Sequence, residues 1–330
     1  MNSIGASLWK RLSDEKLRRL WLSAMVSVCL LFTSIYFLSF RAPDNFPINT
    51  IVSVEAKAGL NDITRELYSS KIIRSPFWFR ILVIATAGEG GVMAGDYFFD
   101  TPLSVFGIAK RLTEGDSGLT PVKITFPEGM TVNQMGMILE EKLVGFSAEK
   151  FTVIAKADEG YLFPDTYNFV KNATPETVVK TMKNNFDQKL KTLEAEIKNL
   201  DKSAGDVVVM ASILEAEART TETRRTIAGI LWKRLALGMP LQVDAPFEYV
   251  IGKNTFQLTL EDLKYDSPYN TYKYKGLPPT AINNPGLDSL ASAVTPIESS
   301  YLFYLSDIRG GMHYAKTYAE HLVNKERYLK

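Results

Sequence analysis

Cysteine and histidine are both scarce in this chain of 330 residues, and their scarcity excludes several kinds of site. The single cysteine, Cys29, cannot form an intrachain disulfide, and one thiol cannot build a cysteine-based zinc site. The two histidines, His313 and His321, are too few for a histidine-rich metal centre. The sequence therefore predicts no metal and no cofactor.

An excess of charge of one sign is also missing. Lys and Arg total 38 while Asp and Glu total 37, so no basic field predicts nucleic-acid binding. Hydrophobic residues make up 46% of the chain, which is enough for a packed core and too many for a disordered protein. The length alone predicts about two folded units.

One long hydrophobic run lies near the N-terminus. Residues 20–40 (LWLSAMVSVCLLFTSIYFLSF) carry no charge, and a helix of this length spans a hydrocarbon core of roughly 30 Å. A cleaved signal peptide is the alternative, but its apolar core is usually only roughly 7–15 residues long, and residues 38–41 (LSFR) form a poor cleavage site. The positive-inside bias predicts a cytoplasmic N-terminus and an external chain after residue 41. The basic residues before the run are Lys10, Arg11, Lys16, Arg18 and Arg19.

Two later segments share one pattern. Residues 50–56 alternate like a strand and precede Asn61, a possible helix cap. Residues 122–126 also read as a strand, and Thr131 and Gln134 after them form a capping box. This weak repeat resembles small LysM-type sugar-binding modules, although two ordinary strand-to-helix turns explain it equally well.

Two further helices are predicted between the anchor and the C-terminal half. Thr101 and Pro102 have the types expected of a cap and a first helical residue, and Gly115 can end that helix. Residues 174–200 are highly charged, and their apolar positions recur at helical spacing. We expect this segment to be a solvated linker helix.

A carboxylate interrupts the apolar side of the helix that follows. Ser203 and Asp206 form a capping-box variant at its start, and Ala211 lies on its apolar stripe. Glu215 comes four residues after Ala211 and therefore lies on or beside that stripe. Glu217 is rotated by about 200° from Glu215, so the two side chains point in different directions.

Glu215 has two interpretations. A carboxyl group in apolar surroundings is costly to ionise, which would suit it to act as a general acid. Alternatively, Glu215 is an ordinary glutamate at the edge of the core, paired with Arg219 or Arg224. Periodicity alone favours the ion pair.

Two segments downstream are rich in Tyr, Asn, Pro and Gly. Residues 238–252 and 266–288 are predicted to form ordered loops rather than helices. Tyrosine rings stack on the apolar faces of sugars, and amides bond to hydroxyl and N-acetyl groups. These loops therefore predict a groove for a neutral polar polymer, the alternative being irregular loops packed by their own tyrosines.

The C-terminal half carries an ordered series of motifs. They are EGYLFPDTY (159–167), MASILEAE (210–217), RLALGMPLQVD (234–244), SPYNTY (267–272), GLPP (276–279), NPG (284–286), YLFY (301–304) and GGMH (310–313). In this order they resemble the MltG/YceG-like family of endolytic murein transglycosylases. Met312 stands between a glycine pair and His313, where family members often continue directly to histidine, and this departure weakens the argument for a role of His313.

The resemblance implies cleavage of the β-1,4 bond between MurNAc and GlcNAc inside glycan strands, with a 1,6-anhydro-MurNAc product and Glu215 as the catalytic residue. One carboxylate can suffice, because the attacking group is the sugar's own 6-hydroxyl rather than water. Glu215 would protonate the leaving oxygen and then accept the proton of the 6-hydroxyl. The expected substrate-binding residues are Gln242, Asp244, Tyr269, Asn270 and Tyr272, with Glu217 as a carboxylate that orients the site.

The predicted fold class is α+β, with a single N-terminal transmembrane helix, one or more LysM-like α/β small domains and a mixed α+β catalytic domain. The expected partners are peptidoglycan strands, the inner membrane, crossed once, and peptidoglycan synthases, with the catalytic domain in the periplasm. The predicted divisions are a cytoplasmic tail (1–19), a transmembrane helix (20–40), a tether (41–49), a LysM-like domain (50–120), a second small α/β region with the linker helix (121–200) and the catalytic domain (201–330).

Two other functions share parts of this pattern. A membrane-anchored scaffold that binds peptidoglycan without cleaving it would need the anchor but not the Glu215 helix with its tyrosine-rich loops. A hydrolytic muramidase would act on the same substrate but would leave reducing ends. The muramidase therefore differs from a lytic transglycosylase in the strand end that it produces, and the scaffold differs in producing no new ends.

Overall fold

The structure is a computed structural model that describes residues 15–307 and 309–329. The chain divides between Thr120 and Pro121 into two compact units, each with mixed α and β structure. This confirms the predicted α+β class. Lys10 and Arg11, which carry part of the predicted charge bias, lie outside the described residues, as does the side chain of Lys16.

The first unit begins with a long apolar helix. Helix α1 (Glu15–Ile35) continues directly into a π-helical turn, Tyr36–Phe40. Residues Leu17–Phe40 are long and apolar enough to cross a membrane. The Phe40 ring at the end of this run packs on Trp78 and Phe106 of the first unit, with centroids 4.8 and 5.0 Å apart.

The rest of the first unit encloses its own core. Strands β1 and β2 pair antiparallel, with Thr50 opposite Phe99, and Leu67, Phe79 and Ile108 are fully buried beneath them. The elements are β1 (Thr50–Val54), α2 (Leu60–Ser69), α3 (Pro76–Ala87), β2 (Gly95–Phe99) and α4 (Val105–Glu114).

Helix starts in this unit differ from the sequence prediction. Gly59 rather than Asn61 occupies the cap of α2, and no side chain caps that helix. Helix α4 starts at Val105, because the Ser104 hydroxyl accepts a bond from the Gly107 N–H, so Thr101 and Pro102 stay outside it. Its predicted end at Gly115 is confirmed.

Helix α3 was not predicted at all. Its start carries two recognisable signals, a side-chain cap at Ser75 and a proline, Pro76, at the first helical position. Its residues are apolar almost throughout, so the sequence shows little of the one-sided pattern that marks an amphipathic helix.

The second unit holds two connected cores and most of the helices. Strands β3 and β4 pair antiparallel, with Val122 opposite Phe169, and β5 pairs antiparallel with β6. The elements are β3 (Val122–Thr125), α5 (Val132–Lys142), α6 (Ala148–Ala155), β4 (Thr166–Phe169), α7 (Pro175–Lys191), α8 (Glu194–Leu200), α9 (Ala204–Glu217), α10 (Thr221–Ala236), α11 (Ala245–Ile251), α12 (Leu287–Val294), β5 (Phe303–Ser306), β6 (Met312–Ala315) and α13 (Tyr318–Tyr328).

The weak repeat in the sequence corresponds to a shared order of elements. Both β1–α2–α3–β2 and β3–α5–α6–β4 place two helices between two antiparallel strands. The predicted capping box is confirmed at the start of α5, where the Thr131 hydroxyl accepts from the Gln134 N–H and the Gln134 side chain accepts from the Thr131 N–H.

The predicted linker helix is wrong in two respects. Residues 174–200 form two helices, α7 and α8, and the apolar face of α7 is buried rather than solvated. Val178 and Met182 belong to the core around β3 and β4, while Phe186 belongs to the core of α9 and α10. Helix α7 therefore joins the two cores of the second unit, because successive positions along its apolar stripe reach first one core and then the other.

The predicted loops are also partly helical. Residues 245–251 form α11, which has Pro246 in its first turn and ends at Gly252 in the left-handed region at φ 69°. Helix α12 begins at Leu287, within the second predicted loop. An isolated bridge pairs Met130 with Asn284, so the segment before α12 is held against the start of α5.

Candidate active site

Glu215 lies in the last turn of α9, at the edge of the larger core. The Ser203 hydroxyl accepts a bond from the Asp206 N–H, so the predicted cap of this helix is confirmed. Val208 and Ala211 are fully buried in contact with the surrounding helices. Glu215 follows these buried residues at the edge of the core, and its side chain is only 8% exposed.

Both carboxylate oxygens of Glu215 accept a hydrogen bond. Arg224 Nη2 lies 2.8 Å from Oε1, and the Gly286 N–H donates to Oε2 at 2.9 Å. Arg224 also reaches Asp288 Oδ2 at 2.6 Å through its Nη1. The guanidinium and the N–H therefore hold both carboxylate oxygens in a fixed orientation. The structure thus differs from the apolar surroundings expected from the helix pattern and contains the ion pair with Arg224.

A cavity of about 780 Å³ opens beside Glu215. Its walls come from the turn before α5, the start of α5, the end of α9, helix α11 and the segment before α12. The lining residues include Glu128, Gly129, Thr131, Val132, Asn133, Gln134, Lys156, Glu159, Glu215, Ala245, Glu248, Tyr249, Ile282 and Asn283.

Glu128 is a second carboxylate in this cavity, and the sequence analysis missed it. It lies in the turn between β3 and α5, is exposed, and makes no hydrogen bond or ion pair with any other residue that the structure describes. Its carboxylate packs against Gly286, where an added Cβ would lie only 1.9 Å from Glu128 Oε1. Partial burial and the charge of Glu215 raise the pKa of Glu128, against the opposing charge of Arg224.

Glu159 is a third carboxylate on the cavity wall, and it is 4% exposed. Its Oε1 accepts from the Val132 N–H at 3.1 Å and from Asn284 Nδ2 at 2.9 Å. Burial raises the pKa of Glu159 to about 7, since these donors offset only part of the desolvation. Asn284 Oδ1 in turn accepts from the N–H groups of Gly160 and Leu162, each at 2.9 Å. Glu159 and Asn284 therefore hold the start of α5 and the loop at residues 160–162 in place around the cavity.

Glu217 points away from Glu215, as predicted from their helical spacing. The Tyr304 hydroxyl donates to Glu217 Oε2 at 3.1 Å. Burial and then the nearby charge of Asp244 raise the pKa of Glu217 to about 7. The Tyr272 hydroxyl donates to Asp244 Oδ1 at 2.6 Å, so these four residues form one polar cluster.

Gln242 is held in an unusual backbone conformation beside that cluster. Its φ is 52°, in the left-handed region that residues other than glycine rarely adopt. Arg234, which is 4% exposed, donates from Nη2 to Gln242 Oε1 at 2.7 Å. The Gln242 N–H donates to the Thr271 carbonyl, so two contacts over-determine its position.

Tyr269 and Asn270 lie in the loop that follows. The Tyr269 hydroxyl lies 2.7 Å from Thr280 Oγ1, and its ring packs on Tyr249 with centroids 5.4 Å apart. Asn270 is 2% exposed, and its amide bonds to the carbonyls of Leu263 and Tyr265. Asn270 therefore shapes the loop from within.

The structure brings only part of the predicted site together. Glu215 lies on the cavity wall, whereas none of the six predicted substrate-binding residues is among the residues described as lining it. Tyr249 is the link, because it lines the cavity and packs on Tyr269. Two of the missed residues, Glu159 and Asn284, lie in the motifs that resemble the family. Glu128 lies in none of them, and its only signal is that it directly precedes Gly129.

The model of the YceG-like family matches residues 52–327 of the chain. The chain belongs to this family. This match covers most of the first unit and nearly all of the second, including every residue of the cavity described above.

Three known proteins are similar to this chain over much of its length. The endolytic murein transglycosylase of Bacillus subtilis is 30% identical over 327 residues, which cover 89% of each chain. The protein of the same name from Streptococcus pneumoniae is 30% identical over 69% of this chain, which spans about half (49%) of that relative. A crystal structure of a YceG-like protein from Listeria monocytogenes has a TM-score of 0.53 at 27% identity, covering 83% of this chain and 98% of that one.

Proposed function

We propose that this member of the YceG-like family is an endolytic murein transglycosylase and that Glu215 is its catalytic residue. The observation that carries the proposal is the carboxylate of Glu215, held by Arg224 and Gly286 on the wall of an open cavity. The 30% identity to the Bacillus subtilis enzyme over 89% of both chains supports the same activity. The proposed substrate is the glycan strand of peptidoglycan.

The proposed reaction breaks the β-1,4 bond between MurNAc and GlcNAc within a strand. The 6-hydroxyl of MurNAc attacks its own C1, so the product end is 1,6-anhydro-MurNAc and no water is consumed. An intramolecular attack has a high effective molarity, which removes the need for a bound water. A fixed carboxylate suits this step, because it can accept the proton of the 6-hydroxyl as the new bond forms.

The proposal also includes the site of action. We infer that Leu17–Phe40 is a single-pass anchor in the inner membrane, with the N-terminus in the cytoplasm and the chain after residue 41 in the periplasm. Such an anchor would hold the enzyme beside the synthases that release nascent strands, where cleavage would limit strand length. Full replacement of the anchored protein in cells by a version lacking residues 1–41 would argue against this part.

The first unit is proposed to bind glycan as a LysM-like module. Its separate core and its two helices between antiparallel strands support a small independent domain. Co-sedimentation with purified sacculi tests this role, and it should persist in variants that no longer cleave the strands.

Replacement of Glu215 by Gln tests the catalytic assignment. In the full chain, reconstituted in nanodiscs and incubated with sacculi, Glu215→Gln should reduce the release of anhydro-ended muropeptides by about 100-fold or more. Glu141→Gln is the matched control, because that side chain is 70% exposed on α5 and pairs with the neighbouring Lys142. Wild-type activity in Glu215→Gln would remove Glu215 from the mechanism.

A further inference from the structure

Two carboxylates on the cavity wall both contact Gly286. The N–H of Gly286 donates to Glu215 Oε2 at 2.9 Å, while the carboxylate of Glu128 packs on the side of Gly286 where a Cβ would stand. Gly129, the neighbour of Glu128, packs in turn on Glu215, since an added Cβ there would lie 3.3 Å from Glu215 Cγ. Two glycines therefore allow the two acidic side chains to approach each other.

The two carboxylates differ in what surrounds them. Glu215 is 8% exposed, and each of its carboxylate oxygens accepts a hydrogen bond from the protein, one from Arg224 and one from the Gly286 N–H. Glu128 is exposed to the cavity and has no hydrogen-bonding partner among the described residues, so its oxygens are open to a ligand. One group is arranged to accept a proton and the other is free to donate one.

The charges near Glu128 favour its protonated form. Partial burial comes first among the causes that raise its pKa, followed by the negative charge of Glu215. Asp288 acts in the same direction and Arg224 in the opposite one. Like charges that share a site cannot both ionise readily, which is how many enzymes separate an acid from a base.

We propose that Glu128 is the proton donor for the leaving group and that Glu215 is the base, so that the reaction uses two carboxylates rather than one. This inference rests on the proposed function. It also differs from the mechanism expected from the sequence, in which Glu215 performs both proton transfers in turn.

The proton transfers balance without another reagent. The bond between C1 of MurNAc and O4 of GlcNAc breaks, its electron pair stays on O4, and the Glu128 carboxyl gives O4 a proton. The bond between O6 and C1 of MurNAc forms while the Glu215 carboxylate accepts the O6 proton. Glu128 ends ionised and Glu215 protonated, and proton exchange through the open cavity restores both.

The test compares two leaving groups in the full chain. In a natural glycan strand the leaving group is the O4 oxygen of GlcNAc, which would depart as an unstable alkoxide and therefore needs a proton. In an aryl glycoside of a MurNAc-terminated oligomer the leaving group is a stable phenolate, which needs none. Glu128→Gln should cleave the strand about 100-fold or more slowly than wild type while releasing the phenol at close to the wild-type rate. Glu215→Gln should be slow on both substrates, and Glu141→Gln should match wild type on both.

Other results would overturn the assignment in distinct ways. Wild-type cleavage of strands by Glu128→Gln would exclude Glu128 as the donor, and equal loss on both substrates would make it a positioning residue instead. An inert wild-type chain would remove the proposed function, and the present inference with it. Because Glu128 is exposed, the variant is expected to fold, and co-sedimentation with sacculi checks that binding is retained.

A pH profile adds a second readout. Strand cleavage by wild type should fall as the pH rises through the pKa of Glu128, because only the protonated acid can donate. That alkaline limb should be missing from the residual activity of Glu128→Gln. The groups that face Glu128, namely Glu215, Arg224 and Asp288, are unchanged in this variant. A limb that persists would assign the titration to another group.

Discussion

The guanidinium of Arg224 lies 2.8 Å from the carboxylate of Glu215, and both side chains are about nine-tenths buried, at 11% and 8% exposure. Arg224 Nη1 also binds Asp288 at 2.6 Å, so one cation is shared between two acids. The arrangement fixes the orientation of Glu215 toward the cavity. It also decides which of the two arginines allowed by the sequence pairs with Glu215: the partner is Arg224, whereas Arg219 is exposed and makes no such contact among the described residues.

Removal of Arg224 should therefore destabilise the second unit and weaken catalysis. We expect Arg224→Gln to lower the free energy of unfolding by about 3 kcal/mol, because it leaves a buried carboxylate without its partner. Urea unfolding in detergent micelles measures this change, and Arg219→Gln is the matched control. The double variant with Glu215→Gln should lose less than the sum of the two single changes. Strict additivity would show that the pair is not coupled.

Stability should depend on pH through Glu217. The pKa of Glu217 is raised to about 7 from its usual 4.5, so its contribution to stability is complete below pH 4.5 and is lost as the pH rises to 7. The loss amounts to about 3 kcal/mol at most. Glu217→Gln should reduce the slope of the unfolding free energy across that interval while keeping a bond to Tyr304, and the remaining slope is expected from Glu159, because burial raises the pKa of Glu159 to about 7 as well. An unchanged slope would place the titration elsewhere, with Glu159 as the next candidate.

Asn284 should be indispensable to the shape of the cavity. It is fully buried and bonds to Glu159, Met130, Gly160 and Leu162 through its side chain. Asn284→Ala should lower the free energy of unfolding by roughly 3 kcal/mol or more, because it leaves several buried groups unsatisfied. Asn284→Asp should also lower the free energy of unfolding, because it keeps the size of the side chain but sets a second carboxylate against Glu159. A thermal midpoint equal to wild type in both variants would contradict this account.

The role of Asn270 separates two interpretations of the tyrosine-rich loop. Its amide is bonded inside the loop, so Asn270→Ala should lower the thermal midpoint by several degrees. At a temperature where the variant is folded, the KM for glycan strands should be nearly unchanged. A large rise in KM with an unchanged midpoint would restore the direct substrate contact that the sequence predicted.

Local rules correctly predicted two helix starts and one helix end. The caps at Thr131 and Ser203 and the stop at Gly115 depend on a few neighbouring residues, and each is confirmed. Helix α3 was missed because a helix that is apolar on nearly all sides lacks the periodicity on which the prediction depends. The amphipathic pattern of α7 was recognised, but no local rule shows that the charged helix packs against two cores.

The candidate site was only half visible in the sequence. The resemblance of the surrounding motifs predicted Glu215 as the catalytic residue, yet its partners Arg224 and Gly286 come from two other segments. Glu128 lies 87 positions before Glu215 and carries no pattern of its own beyond the glycine that follows it. Such contacts depend on the tertiary fold, which brings the turn before α5 against the segment before α12.

The most direct test of the central claim is the chemistry of the strand ends. Muropeptides released from sacculi by the full chain in nanodiscs would be separated and weighed by mass spectrometry. The account predicts new 1,6-anhydro-MurNAc ends, each lighter by one water than a reducing end. New reducing ends would instead identify a hydrolase, and binding to sacculi without new ends of either kind would identify a non-catalytic scaffold.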